Sequence, residues 1–324
     1  MRRSWPAALH GIPGRGTRRY EVRPQMSTTR LIAVSPFARS MGYVSLTKPD
    51  VSFLVVITTL AGYVLGTVGP LDWRRMAHTV LATTLVAAGT SALNHYFERD
   101  SDARMRRTAS RPLPSGLLAP AEALWFGSAL AVIGVLGLLL AANPLSALLA
   151  IATSVTYLGL YTPLKMRTTL ATAVGAIPGA VPPLIGWAAA RGELGAGAWV
   201  LFAILFLWQF PHFHAIAWMY REDYARAGIR VLAVVDQDGR ATFSQILVTA
   251  AALIPVSLLA SVTGLASLRY FFGALVLGLL LVEVCVWAAA SKTNARAKWL
   301  MHATVIHLPL LLGLMILDRF WWSP

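Results

Sequence analysis

Residues 93–114 read LNHYFERDSDARMRRTASRPLP, and within them Asn94, Glu98 and Asp102 stand at i, i+4 and i+8. On a helix of 3.6 residues per turn such positions stack on one face, drifting only about 40° in all. Three oxygen-bearing side chains on one stripe suit a hard divalent cation. Mg2+ takes oxygen ligands, uses few protein carboxylates and lets phosphates complete its shell. Arg104, Arg106, Arg107 and Arg111 follow at once, and guanidinium groups take up phosphate charge. Acids and bases together therefore fit Mg2+–diphosphate better than either set alone. The bland reading is a solvated loop whose cations set membrane topology. It accounts for the arginines but not for acids four apart beside an asparagine. An acid inside a membrane costs about 2.5–3.5 kcal/mol on insertion scales.

The elements that must position this stripe are membrane helices. The chain is 56% hydrophobic and only 13% charged over 324 residues, with mean hydropathy +0.61; soluble domains carry about 25% charged residues. Nine apolar runs are long enough to span a bilayer, roughly 51–69, 77–97, 120–141, 144–163, 169–190, 198–219, 242–264, 269–290 and 299–317. They are too long and too apolar for barrel strands, so the expected class is all-α, a polytopic bundle. Prolines 178, 182, 183 and 211 fall inside the fifth and sixth runs, where neighbouring helices can re-satisfy the freed backbone groups. The single cysteine, Cys285, excludes an intrachain disulfide and reads as a small core residue.

The net charge of +14 does not mark a nucleic-acid binder, because the 28 basic residues cluster in the N-terminal stretch and at the ends of apolar runs. The loops after the second, fourth, sixth and eighth runs are rich in Lys and Arg. The opposite ends hold only Arg74, Arg75, Arg191, Arg269 and Arg319. The positive-inside rule then puts the N-terminus and the charged stripe on the cytoplasmic side. Residues 1–40 are expected to form a basic, disordered tail and 41–324 the membrane domain. Met26 is an alternative start, and an Arg-rich targeting segment is the rival reading of the tail.

Two further loops carry charge on the same side. YTPLKMRTT holds Lys165 and Arg167, which read equally as phosphate-capturing or as topology-setting cations. MYREDYARAG holds Asp223 between Arg221 and Arg226, with Glu222 about 100° away on a helix. VVDQDGR resembles the start of a calcium loop, but the further acids an EF-hand needs are missing, so it reads as a turn. His212 and His214 face about 200° apart on a helix, and His302 and His307 about 140° apart, so neither pair forms a simple ligand site. An interhelical hydrogen bond is the default for each. His78 and His95 fall at span ends and read as interfacial. Trp208, Phe210, Phe213 and Trp218 could face a flat ligand or an isoprenoid chain, but such a stripe is more often packing. Tyr157 and Tyr161, four apart, could flank a carbocation through cation–π attraction; Tyr161 borders the basic loop.

The Asn-x-x-x-Glu-x-x-x-Asp spacing resembles the first acidic motif of UbiA-type intramembrane prenyltransferases, where Asp is commoner at the middle position. ERDSDARMRRTASRPLP, YTPLKMRTTLATAVGAIPGAVPPLIGW and LWQFPHFHAIAWMYREDYARAG together resemble the branch of that family that transfers farnesyl to heme b. The resemblance implies Mg2+ on Asn94, Glu98 and Asp102, diphosphate on Arg107, Arg111, Lys165 and Arg167, and a catalytic role for Asp223. It implies an acceptor or prenyl pocket near Tyr161, Trp208, His212, Arg221 and Tyr224. The expected substrates are farnesyl diphosphate and heme b, joined with water to give heme O, in a bacterial inner membrane rather than a mitochondrial one. Heme A synthase or oxidase assembly factors are the expected protein partners. Met219 stands where the wider family has a second-motif Asp, which puts a second Mg2+ in doubt. A quinone or chlorin prenyltransferase shares the metal chemistry. A transporter would spread its acids across the midplane, and a heme electron carrier would need aligned histidines.

Overall fold

A computed structural model describes residues 35–322. Its elements are α1 (Pro36–Leu46), α2 (Pro49–Gly66), α3 (Trp73–Asp102), α4 (Pro120–Ala141) and α5 (Pro144–Val155), a π-helical turn (Thr156–Tyr161), and α6 (Thr162–Leu164). They continue as α7 (Ala171–Ala180), α8 (Pro182–Arg191), α9 (Ala196–Met219), α10 (Arg221–Arg226), α11 (Leu232–Val235), α12 (Arg240–Val262), α13 (Leu268–Ser291) and α14 (Asn294–Trp322). Among the described residues nine helical segments have the length and apolar character to cross a membrane. They match the nine expected runs, and the chain is an all-helical, multi-pass membrane protein.

Local chemistry sets the helix starts. Proline opens α1, α2, α4, α5 and α8, where its missing N–H is no loss and its fixed φ is already helical. Asp72 and Asn143 accept from backbone N–H groups of Arg75 and Ser146, each at 2.9 Å, and so cap α3 and α5. Asp236 accepts from the Thr242 N–H at 2.6 Å, so VVDQDGR is the expected turn, built as an entry to α12. These bonds hold the Asp236 carboxyl below the usual carboxylate range, although its burial pulls the other way.

Three expectations are corrected. The boundary at residue 40 falls inside α1, which starts at Pro36; residues 1–34 lie outside the described residues. The second span is longer than 77–97 and runs to Asp102, so Glu98 and Asp102 stand on the last turns of α3, on a helix as their spacing implied. The fifth span is two helices, interrupted at Val181 before the Pro182–Pro183 pair, because the two prolines supply no N–H to continue the helical hydrogen bonds.

The opposite end of the bundle from the charged stripe uses its arginines as helix caps. Arg191 donates to the Gly66 carbonyl at 2.7 Å and Arg319 to that of Thr67 at 2.7 Å, closing α2. Arg75 donates to the Ala142 carbonyl after α4 at 2.9 Å. These cations satisfy orphan carbonyls at helix C-termini.

Close helix approach needs small residues, since lipid gives no hydrophobic drive between helices. A Cβ on Gly62 would lie 2.0 Å from the Pro183 carbonyl oxygen, and one on Gly186 would lie 2.0 Å from that of Thr59. The obstacle is backbone in both cases, so α2 and α8 must separate to admit a side chain. Gly62→Leu is therefore expected to lower stability by about 3 kcal/mol or more. Thermal unfolding of the purified protein in detergent checks this; an unchanged midpoint would contradict the contact.

Candidate active site

The charged end of the bundle gathers three connecting segments over the end of α3. The segment after α3 is tied down where Thr108 Oγ1 donates to the Asp102 carbonyl at 2.8 Å. It meets the segment after α9 where the Arg107 N–H donates to Asp223 Oδ2 at 3.2 Å. Met105, Ala227 and Ile229 form a small buried cluster between the same two segments. The segment after α6 joins them through the Arg230 N–H, which donates to the Lys165 carbonyl at 2.8 Å.

Beneath this cover lie the stripe residues, with Asn94 1%, Glu98 8% and Asp102 0% exposed. The Asn94 amide donates to the Glu98 carboxylate, as one helical turn allows. Lys165 Nζ stands 2.6 Å from Glu98 Oε1 and Arg111 2.7 Å from Asp102 Oδ2. Lys48 Nζ donates to Asn94 Oδ1 at 2.6 Å. Two carboxylates thus face three cations, and the surplus positive charge suits an anion. Burial pushes the Lys48 ammonium down to about 8, against the pull of Glu98, which favours its charged form. Asp102 Oδ1 is buried without a hydrogen-bond partner. A free carboxylate oxygen, an amide oxygen and a second carboxylate on successive turns of α3 are all hard donors, so these residues are chemically suited to a divalent cation such as Mg2+.

Lys48, Thr162 and His95 were not read from the sequence as site residues. Lys48 precedes Pro49 with φ of 47°, a left-handed conformation uncommon for a side-chain-bearing residue. Thr162 Oγ1 lies 3.4 Å from the Asn94 amide nitrogen and donates to the Tyr157 carbonyl at 2.9 Å. His95 is buried rather than interfacial: it is 2% exposed, neither ring nitrogen has a partner, and Nδ1 lies 4.0 Å from Asp102 Oδ2. The π turn brings the Tyr157 and Tyr161 rings to 5.1 Å between centroids. Single π turns often sit at functional sites.

The remaining candidates divide. Asp223 pairs with Arg226 rather than with Arg221. Arg221 turns the other way, donating at 2.7 Å to Asn294 and to the Trp218 carbonyl. Arg107 lies 5.1 Å over the Tyr220 ring. Burial raises the Tyr224 phenol, and the nearby Arg107 guanidinium opposes this. Arg167 is exposed, beside Gly159, Leu160, Pro163 and Leu164. Trp208 Nε1 donates to the Thr304 carbonyl at 2.7 Å, and His212 Nδ1 meets Thr304 Oγ1 at 2.8 Å. That pair joins α9 to α14 inside the bundle, which is the interhelical hydrogen bond expected by default; it does not contact the charged cluster through any of these bonds.

Residues 55–311 match the UbiA prenyltransferase family. The chain belongs to that family. It is 50% identical over 286 residues to the protoheme IX farnesyltransferase of Solibacter usitatus (strain Ellin6076), covering 86% of this chain and 98% of that one. Its fold is that of a solved digeranylgeranylglyceryl phosphate synthase, with TM-score 0.72, 16% identity, and coverage of 87% of this chain and 99% of that chain. A UbiA homolog from Archaeoglobus fulgidus bound to DMAPP and Mg2+ aligns with TM-score 0.58 at 14% identity, over 84% and 98% of the two chains.

The pairing at Asp102 has a measurable consequence. Removing one partner of a buried ion pair leaves an uncompensated charge, at a cost of about 3–5 kcal/mol. Arg111→Met is expected to lower thermal stability on that scale, and Arg111→Met with Asp102→Asn to recover most of it. A loss in the double variant equal to the sum of the Arg111→Met and Asp102→Asn losses would show that the pair is not coupled.

Proposed function

We propose that this chain transfers the farnesyl group of farnesyl diphosphate to a vinyl group of heme b, with addition of water, to give heme O. The observation that carries the chemistry is the buried cluster of two carboxylates and three cations at the end of α3. The acceptor rests on near-full-length likeness to a protoheme IX farnesyltransferase.

We assign Asn94, Glu98 and Asp102 to holding Mg2+. Bound there, the cation supplies neutralising charge to the diphosphate and makes it a better leaving group. Lys165, Arg111 and Lys48 bind the remaining phosphate charge, and Arg107 and Arg167 border the entry. Loading diphosphate gives the cluster's surplus positive charge a partner, in a setting where water is scarce and each interaction is strengthened. Cleavage of the C1–O bond leaves its electron pair on the diphosphate and an allylic cation on the farnesyl carbon. The vinyl π electrons form the new C–C bond. Water adds to the resulting cation beside the porphyrin ring and loses a proton. Tyr157 and Tyr161 present π faces that favour the cationic stage. Asp223, held by the Arg107 N–H and Arg226, fixes the segment that covers the diphosphate. Tyr224, Trp208, His212 and Arg221 remain candidates for the wall that receives the acceptor, with Trp208 and His212 acting from the α9–α14 seam. We place the charged end in the cytoplasm, at the inner membrane of a bacterium, by the bias of Lys and Arg to that end. The product would pass to heme A synthase or to oxidase assembly.

The test uses membranes containing the chain, heme b, farnesyl diphosphate and Mg2+, with hemes read by mass spectrometry. The expected result is a farnesyl-plus-water mass increase on heme, lost with EDTA and in Asp102→Asn. Prenylation of a quinone precursor but not of heme would keep the cluster's chemistry and overturn the acceptor. Full activity of a well-expressed Asp102→Asn would overturn the metal assignment.

A further inference from the structure

Beneath the charged cover, one buried side chain makes no hydrogen bond. His95 is 2% exposed, and neither of its ring nitrogens has a partner. A buried polar group left unpaired is unfavourable, and native structures seldom keep one without a reason. His95 stands seven residues before Asp102 on α3, so the two share one helix face to within about 20°. Its Nδ1 lies 4.0 Å from Asp102 Oδ2, just outside hydrogen-bond reach.

The two oxygens of Asp102 have different surroundings. Oδ2 accepts from Arg111 at 2.7 Å and faces His95, whereas Oδ1 has no partner. Among the described residues Arg111 supplies the only hydrogen bond to this carboxylate. Lys48 and Lys165 pair with Asn94 and Glu98 instead. Arg111 reaches in from the segment after α3 and is the cation assigned above to phosphate charge. Once its guanidinium turns to phosphate, Oδ2 loses its donor. His95 is carried by the same helix as Asp102, so its ring stays beside Oδ2 wherever that segment moves. Carboxylates that ligate metals are themselves hydrogen-bonded by outer groups that fix their direction.

We propose that His95 is a positioning residue for Asp102: its Nδ1–H donates to Oδ2 and so holds Oδ1 toward the cation. The proposal rests on the assignment of Asp102 to Mg2+. A neutral imidazole has one N–H and one lone pair. The carboxylate beside Nδ1 selects the tautomer with the proton there, which leaves the lone pair on Nε2.

The experiment titrates the purified chain calorimetrically with a non-reacting thio analogue of farnesyl diphosphate at a series of Mg2+ concentrations. The quantity read is the Mg2+ concentration that gives half of the gain in affinity. His95→Leu removes the donor and is expected to raise that concentration about tenfold or more. His95→Asn places an amide nitrogen near the position of Nδ1 and should stay close to the native chain. His95→Gln reaches the position of Nε2 and should shift as His95→Leu does. Affinity without Mg2+ should be the same in all of them. A native Mg2+ dependence in His95→Leu or His95→Gln overturns the proposal. Equal shifts in His95→Asn and His95→Leu, or affinity lost alike with and without Mg2+, would make His95 a packing residue and overturn it too. No Mg2+ gain in the native chain would overturn the metal assignment itself, and the proposal with it.

Discussion

Glu98 and Asp102 are carboxylates almost out of reach of water at the end of an apolar bundle. An ion in that position loses several kcal/mol of hydration, which only close opposite charges and hydrogen bonds recover. Most of the architecture at this end serves that requirement. Lys165 reaches Glu98 from the turn after α6, Arg111 reaches Asp102 from the segment after α3, and Lys48 reaches Asn94 from the start of α2. Each cation arrives from a different part of the chain, so compensating the stripe also fixes where those parts lie. The arrangement overshoots neutrality by one positive charge and leaves Asp102 Oδ1 without a partner. Both departures are of the kind expected in a site that receives a metal and an anion together.

The two ends of the bundle use arginine differently. At the opposite end Arg75, Arg191 and Arg319 spend their donors on carbonyls that close α2 and α4. At the charged end Arg107 and Arg167 keep exposed guanidinium groups. A count of basic residues registers only the bias between ends, whereas the hydrogen bonds separate the cations that cap helices from those that do not.

Legibility in the sequence followed the range of the interaction. The nine spans and the Asn94–Glu98–Asp102 stripe are local patterns, set by hydropathy and by 3.6-residue periodicity, and could be read directly. Lys48 could not, because its partner is 46 residues away in the chain; its only signal was a lysine before a proline at the start of a span. Thr162 and the buried His95 depend on how α3 meets the π turn, which no local pattern encodes. Trp208 and His212 were drawn toward the site by sequence likeness, but Trp208 Nε1 and His212 Nδ1 are taken up by Thr304 on α14. Arg221 looked equivalent to Arg226 on either side of Asp223; one residue of helix phase sends it to Asn294 instead.

In the proposed reaction the stripe and its cations bind diphosphate together with a divalent ion. Calorimetric titration of the purified chain with a non-reacting thio analogue of farnesyl diphosphate, with and without Mg2+, tests it most directly. Mg2+ is expected to tighten binding about tenfold or more in the native sequence, Asp102→Asn to lose this gain, and Lys165→Gln to bind weakly in both conditions. An Asp102→Asn variant that keeps the full Mg2+ effect would contradict it.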